Sequence, residues 1–80
     1  MTRDDVLKKV NEIFTDVFDD ASLSISEDTA QTDIGEWDSL AQIDIIAACE
    51  SEFGVTFNLA DIPGIKAVGD LIDLVLQKKI

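Results

Sequence analysis

Eighty residues allow one small domain that buries roughly 60% of its unfolded surface, with no room for a second core or a large enclosed active site. An apolar fraction of 46% excludes a disordered chain. Seventeen acids against six bases give a net charge of −11, the wrong sign for phosphate contacts, so nucleic-acid binding is excluded.

The first predicted element is an amphipathic helix. Thr2 is a natural N-cap, with Asp4 and Asp5 in the first turn. At about 100° per residue, Val6, Val10, Ile13, Phe14, Val17 and Phe18 gather on one side, and Lys8, Lys9, Glu12, Thr15 and Asp16 on the other. From Asp19 to Trp37 the periodicity fades into a long polar connection, a length that is often functional. Leu23, Ile25 and Ile34 are its expected anchors in the core. Its acids lack the alternating pattern, central Gly and distal Glu of an EF-hand, and no metal site is expected.

A second helix is predicted from Ser39 to Phe53, stopped by Gly54. Its projection puts Ile45, Ile46, Cys49 and Phe53 in one apolar arc. Leu40, Asp44, Ala47 and Ser51 lie opposite, with Ile43 and Glu50 on the flank. Cys49 therefore reads as a small core residue, and a lone cysteine permits neither an internal disulfide nor a zinc site. Val55-Thr56-Phe57 is β-like but too short to form a sheet. Asn58 is expected to cap a brief helical turn through Ile62, ended by Pro63-Gly64. A last helix begins near Val68, with Val68, Leu71, Ile72, Val75 and Leu76 forming its apolar side. Asp70, Asp73 and Gln77 face water, and Lys78 and Lys79 favour the C-terminal dipole. The expected fold is all-α: a bundle of three main helices and one short helix with a long first loop.

Charge placement and chain ends add further expectations. All six bases (Arg3, Lys8, Lys9, Lys66, Lys78 and Lys79) lie toward the two ends, and the thirteen acids between Val10 and Ile65 have no base among them. Such a surface either keeps the chain solvated or docks basic partners. Met1 leads into a polar, helix-like segment, so no secretory signal is expected, and the longest apolar runs are far short of a membrane span. A monomer in a reducing cytoplasm is the expectation.

The chain is organised around Gly35-Glu36-Trp37-Asp38-Ser39-Leu40, where the polar loop runs into the second helix. Asp38 can accept from the first free N–H groups, and Ser39 falls near the positive end of the helix dipole, where a phosphate is tolerated. Asp-Ser-Leu opening a helix after a Gly-containing loop resembles the attachment site of acyl carrier proteins. The resemblance extends through Ile25-Ser26-Glu27-Asp28, Asp33-Ile34-Gly35, Asp38-Ser39-Leu40, Glu50-Ser51-Glu52-Phe53-Gly54 and Val68-Gly69-Asp70, covering nearly the whole chain.

This resemblance implies a four-helix bundle forming one carrier domain over residues 1–80. It implies a 4'-phosphopantetheine arm from coenzyme A on Ser39, attached by a phosphopantetheinyl transferase with Mg²⁺. The arm's thiol would hold acyl groups as thioesters for acyl-loading and acyl-transfer enzymes, as in fatty acid and lipid metabolism. The second helix would be the docking element. Asp38, Asp44, Glu50 and Glu52 match its acidic pattern, and Leu40, Asp44, Ala47 and Glu50 form a candidate face that meets partners without supporting the fold. Parting helices would shelter an acyl chain among Ile46, Phe53 and Ile62.

The sequence also departs from the family pattern. Gly35 sits three residues before Asp38 rather than two, and Trp37 places a bulky aromatic where the arm would leave the surface. Ala41, Gln42 and Ser51 are neutral at positions often acidic, and Lys66-Ala67 stand where Ser or Thr commonly caps the last helix. These differences point to a specialised carrier rather than a housekeeping one. No His is present, which excludes a Ser-His hydrolase, and there is no phosphate-binding Gly-rich loop; no catalysis is expected of the chain itself. Two alternatives stand beside the acyl carrier: a carrier of amino-acyl or short polar groups, and an unmodified acidic helical interaction module.

Overall fold

The computed structural model describes residues 2–79, with the side chain of Lys79 outside the description. Helix α1 (Arg3–Val17) starts where the sequence predicts: the Thr2 hydroxyl accepts from Asp5 N and the Asp5 carboxylate from Thr2 N, closing a capping box. Its end is marked by Asp19, whose φ of 49° is the left-handed conformation. There Asp19 N donates to Asp16 O and Asp20 N to Thr15 O, a Schellman closure. Val6, Val10, Ile13 and Phe14 are buried, while Val17 and Phe18 are half-buried.

Helix α2 spans Ser39–Phe53 and ends on Gly54 in the left-handed region (φ 66°), which suits a residue without Cβ. Helix α3 spans Val68–Lys79. Short 3₁₀ segments occupy Gln31–Asp33, within the long polar connection, and Leu59–Gly64. The second runs through Pro63-Gly64 rather than stopping before them. The Asn58 side chain makes no cap bond there; Asp61 caps instead, accepting from Asn58 N at 3.2 Å. Among the described residues there is no strand, only an isolated bridge between Ala30 and Ala67. The fold is thus the expected all-α bundle of three main helices, α1 packing on both α2 and α3.

The core joins one face of each helix to Ile25, Trp37, Val55, Phe57 and Ile65 from the connections. Ile25 is buried and Leu23 and Ile34 pack at the edge, so the three expected anchors do reach the core. A free amide acceptor fixes Ile25 in place: Asn11 Oδ1 takes its N–H at 2.8 Å.

The missing Ser/Thr cap of α3 is made good by the long loop. Val68 N donates to Thr29 O and Gly69 N to Glu27 O, each at 2.9 Å, while Gln31 N donates to Lys66 O at 2.7 Å. Asp70 turns back rather than facing water, its Oδ2 accepting from Lys66 N at 3.0 Å and Ala67 N at 3.1 Å. The loss of about 1 kcal/mol that an absent cap typically brings is therefore offset. Peripheral ion pairs link the elements elsewhere. Arg3 spans Glu27 and Asp73, Lys9 meets Glu52 at 2.8 Å, and Lys78 reaches Asp61 at 3.2 Å. Lys78 thus serves the 3₁₀ segment as well as the helix end; the reading of the Lys79 side chain lies outside the described residues.

Candidate attachment site at the start of helix α2

Trp37 fixes the entry to α2. Its indole is buried (3% exposed), turned inward and edge-on to Phe14 with centroids 5.0 Å apart and planes at 87°. This corrects the expectation that the ring would redirect an arm at the surface: the large apolar side chain is drawn into the core. The ring's Nε1 donates to Gln42 Oε1 at 2.6 Å, and the backbone carbonyl of Trp37 accepts from Gln31 Nε2 at 3.2 Å. Gln42, expected as a neutral substitute on an acidic face, is therefore a buried partner of Trp37, and Ala41 is buried beside it.

With Trp37 anchored, Asp38 follows in extended geometry and its Oδ1 accepts from Ala41 N at 2.9 Å, the N-cap read from the sequence. Ser39 is the first helical residue and its side chain is exposed. The N–H groups of Ser39 and Leu40 have no acceptor among the described residues, so the first turn that carries the hydroxyl also offers two free donors at the positive end of the dipole.

Beside Ser39 opens a cavity of about 310 Å³. Ile43, Ile62, Pro63 and Ile65 give it an apolar wall, and Gln31 and Gln42 supply polar groups. Ile46 and Phe53 do not line it: both sit in the closed core, and of the three residues expected to shelter a chain only Ile62 borders the opening. Composition hid Gln31, Pro63 and Ile65, which approach from other segments. Gln42 and Ile43 were within reach of the i+3, i+4 rule applied from Ser39.

The outward side of α2 is as projected. Leu40 is 74% exposed, Asp44 and Ala47 are exposed, and Ile43 at 63% joins them. Glu50 differs: it is half-buried and its Oε2 accepts from Phe57 N at 2.9 Å, so it supports the fold, contrary to expectation. The connection after Gly54 carries buried Phe57 past α2, and its N–H needs an acceptor there. Glu52 points to α1, paired with Lys9. Cys49 is buried, and burial with the nearby Glu50 charge pushes its thiol up to about 12, as befits a core residue.

An exposed hydroxyl at a helix N-terminus, next to a mixed polar and apolar cleft, fits a phosphodiester-linked arm. Residues 8–75 match the family described as the phosphopantetheine attachment site. The chain is 36% identical to the acyl carrier protein of Petrotoga mobilis over 78 residues, covering 98% of this chain and 92% of that one. It is 30% identical to that of Thermotoga maritima over 77 residues, covering 96% and 95%. Among solved structures, holo acyl carrier protein from Geobacter metallireducens superposes with a TM-score of 0.82 at 39% identity, covering 90% of this chain and 83% of that one. The crystal structure of the Thermotoga maritima protein gives 0.83 at 29% identity, covering 95% and 88%.

Fold and motif together define a phosphopantetheine-bearing carrier. The chain belongs to the acyl carrier protein family, whose members are carriers rather than enzymes and act with partner enzymes. Its cofactor is covalent 4'-phosphopantetheine, on which it carries acyl groups. Among the described residues no helix is long and apolar enough to cross a membrane.

Proposed function

We propose that Ser39 bears the arm, and that the chain presents its cargo to partner enzymes without catalysing any step itself. The observation that carries this reading is the exposed Ser39 hydroxyl directly after the Asp38 cap, at the mouth of the cleft. In the transfer, Ser39 Oγ attacks the β-phosphorus of coenzyme A. Its proton passes to a base on the transferase, and the P–O–P bridge breaks to release adenosine 3',5'-bisphosphate. The free N–H groups of Ser39 and Leu40 favour the phosphodiester that results. The arm supplies a terminal thiol on which acyl groups travel as thioesters.

Docking is assigned to Leu40, Asp44 and Ala47, with Ile43 at their edge. Leu40 and Ile43 offer the apolar contact and Asp44 the charge for a basic partner surface. Glu50 lies on the flank of this face, committed to Phe57. Incubation with coenzyme A, Mg²⁺ and a broad transferase tests the reading: intact mass should rise by one arm. An unchanged mass would leave the unmodified interaction module standing.

A further inference from the structure

The hydrogen bond between Trp37 and Gln42 fixes a carboxamide that lines the cleft beside Ser39. Gln42 is 7% exposed and its Oε1 accepts from Trp37 Nε1 at 2.6 Å. An indole nitrogen only donates, so the carboxamide has a single orientation, with oxygen toward the ring and the NH₂ turned away. Gln42 lines the cavity, and its Nε2 has no acceptor among the described residues. No buried side-chain nitrogen or oxygen among these residues lacks a partner, so this nitrogen is not sealed in the core; it reaches the opening. A side chain more than nine-tenths buried thus directs N–H donors into a cleft whose apolar lining is Ile43, Ile62, Pro63 and Ile65.

Spacing selects the ligand. Gln42 follows Ser39 by three residues, which places the two as neighbours on one helix face. A group anchored on Ser39 meets these donors with its near part, well before its terminal thiol. The near part of 4'-phosphopantetheine carries a doubly methylated carbon, then a hydroxyl-bearing carbon, then an amide carbonyl: apolar surface followed by two oxygens that can accept. That order suits a cleft lined by isoleucines with one fixed donor among them.

We propose that Gln42, locked by Trp37, binds the phosphopantetheine arm itself by donating from Nε2 to an arm amide carbonyl, while the arm's methyl groups lie against Ile43 and Ile62. The proposal rests on attachment at Ser39. Trp37 acts as a positioning residue, because without the indole donor the carboxamide is free to turn over. The docked arm stabilises the holo form relative to the apo form, since it binds only the folded chain.

The test uses full-length holo protein with the arm isotopically labelled, and intact mass is read first. An unmodified parent would defeat the Ser39 assignment and this proposal with it, whereas a modified parent with a free arm would defeat this proposal alone. In the modified parent, NMR should show cross-peaks from the arm to the Gln42 NH₂ and the Ile62 methyls. The arm amides should exchange slowly, and the holo form should melt above the apo form. Gln42→Glu, which keeps an acceptor for Trp37 but removes the donor, should lose those cross-peaks and shrink the melting difference toward zero. Trp37→Phe is the second variant, should Gln42→Glu fold poorly, and should weaken the same contacts. Arm resonances matching free pantetheine in the parent, with only water in the cleft, would overturn the proposal. So would arm contacts unchanged in both variants.

Discussion

The backbone N–H of Gly69 donates to the carbonyl of Glu27 at 2.9 Å, and a Cβ on residue 69 would stand 3.1 Å from that same oxygen. The loop before α2 and the start of α3 are therefore built against each other at a distance where any Cβ would crowd the Glu27 carbonyl. Gly69→Ala should not gain the helix propensity that alanine usually brings. It should instead destabilise by about 1 kcal/mol, the net worth of the hydrogen bond it stretches. Urea unfolding measures the balance, and an unchanged or higher midpoint would show that the loop yields freely.

Asp19 holds the left-handed position that closes α1, where an acid also faces the negative end of the dipole. Asp19→Gly should stabilise the chain by about 1 kcal/mol, the left-handed penalty outweighing the entropy that glycine adds to the unfolded state. Thermal melting checks it. A lower midpoint would mean that the Asp side chain contributes more than its backbone costs.

Three residues of α2 separate docking from folding. Phe53→Ala should cost about 3–5 kcal/mol, because the ring is buried. Leu40→Ala should melt like the parent yet slow arm transfer, since its side chain is largely in solvent. Glu50→Lys should destabilise by about 1.5–3 kcal/mol by removing the charged acceptor of Phe57 N. Urea titrations of the three, beside transferase kinetics, give the order. If Leu40→Ala melts like Phe53→Ala, the assigned docking face is wrong.

Most of the fold was legible because periodicity writes it into the chain. The α2 limits, its cap at Asp38, its stop at Gly54 and the core arc around Cys49 all follow from local rules. What was hidden depends on contacts between distant segments. Trp37 reads as a surface aromatic until Phe14 and Gln42 are brought around it, and Glu50 reads as a free acid until Phe57 N arrives. The cap of α3 was hidden for the same reason: Thr29 and Glu27 supply it from some forty residues upstream.

Cys49 predicts a dependence on alkaline pH. Its thiol is raised from the ordinary 9.0 to about 12 by burial, then by the Glu50 charge. The unfolded chain therefore loses this proton first. The stability linked to the thiol is full below about pH 9 and is lost as pH rises toward 12. Lys9, raised by its hydrogen bond to Glu52, keeps its contribution at lower pH and loses it as pH rises through its folded value. Cys49→Ala should accordingly flatten the early part of the decline while leaving the Lys9 part. Identical slopes for parent and variant would contradict the assignment.

Attachment at Ser39 is tested most directly by peptide mass mapping of the chain after reaction with coenzyme A and a transferase. The arm should be found on Ser39 and on no other residue, and Ser39→Ala should fold normally while gaining no mass. An arm mapped to another side chain, or a modified Ser39→Ala variant, would contradict the account.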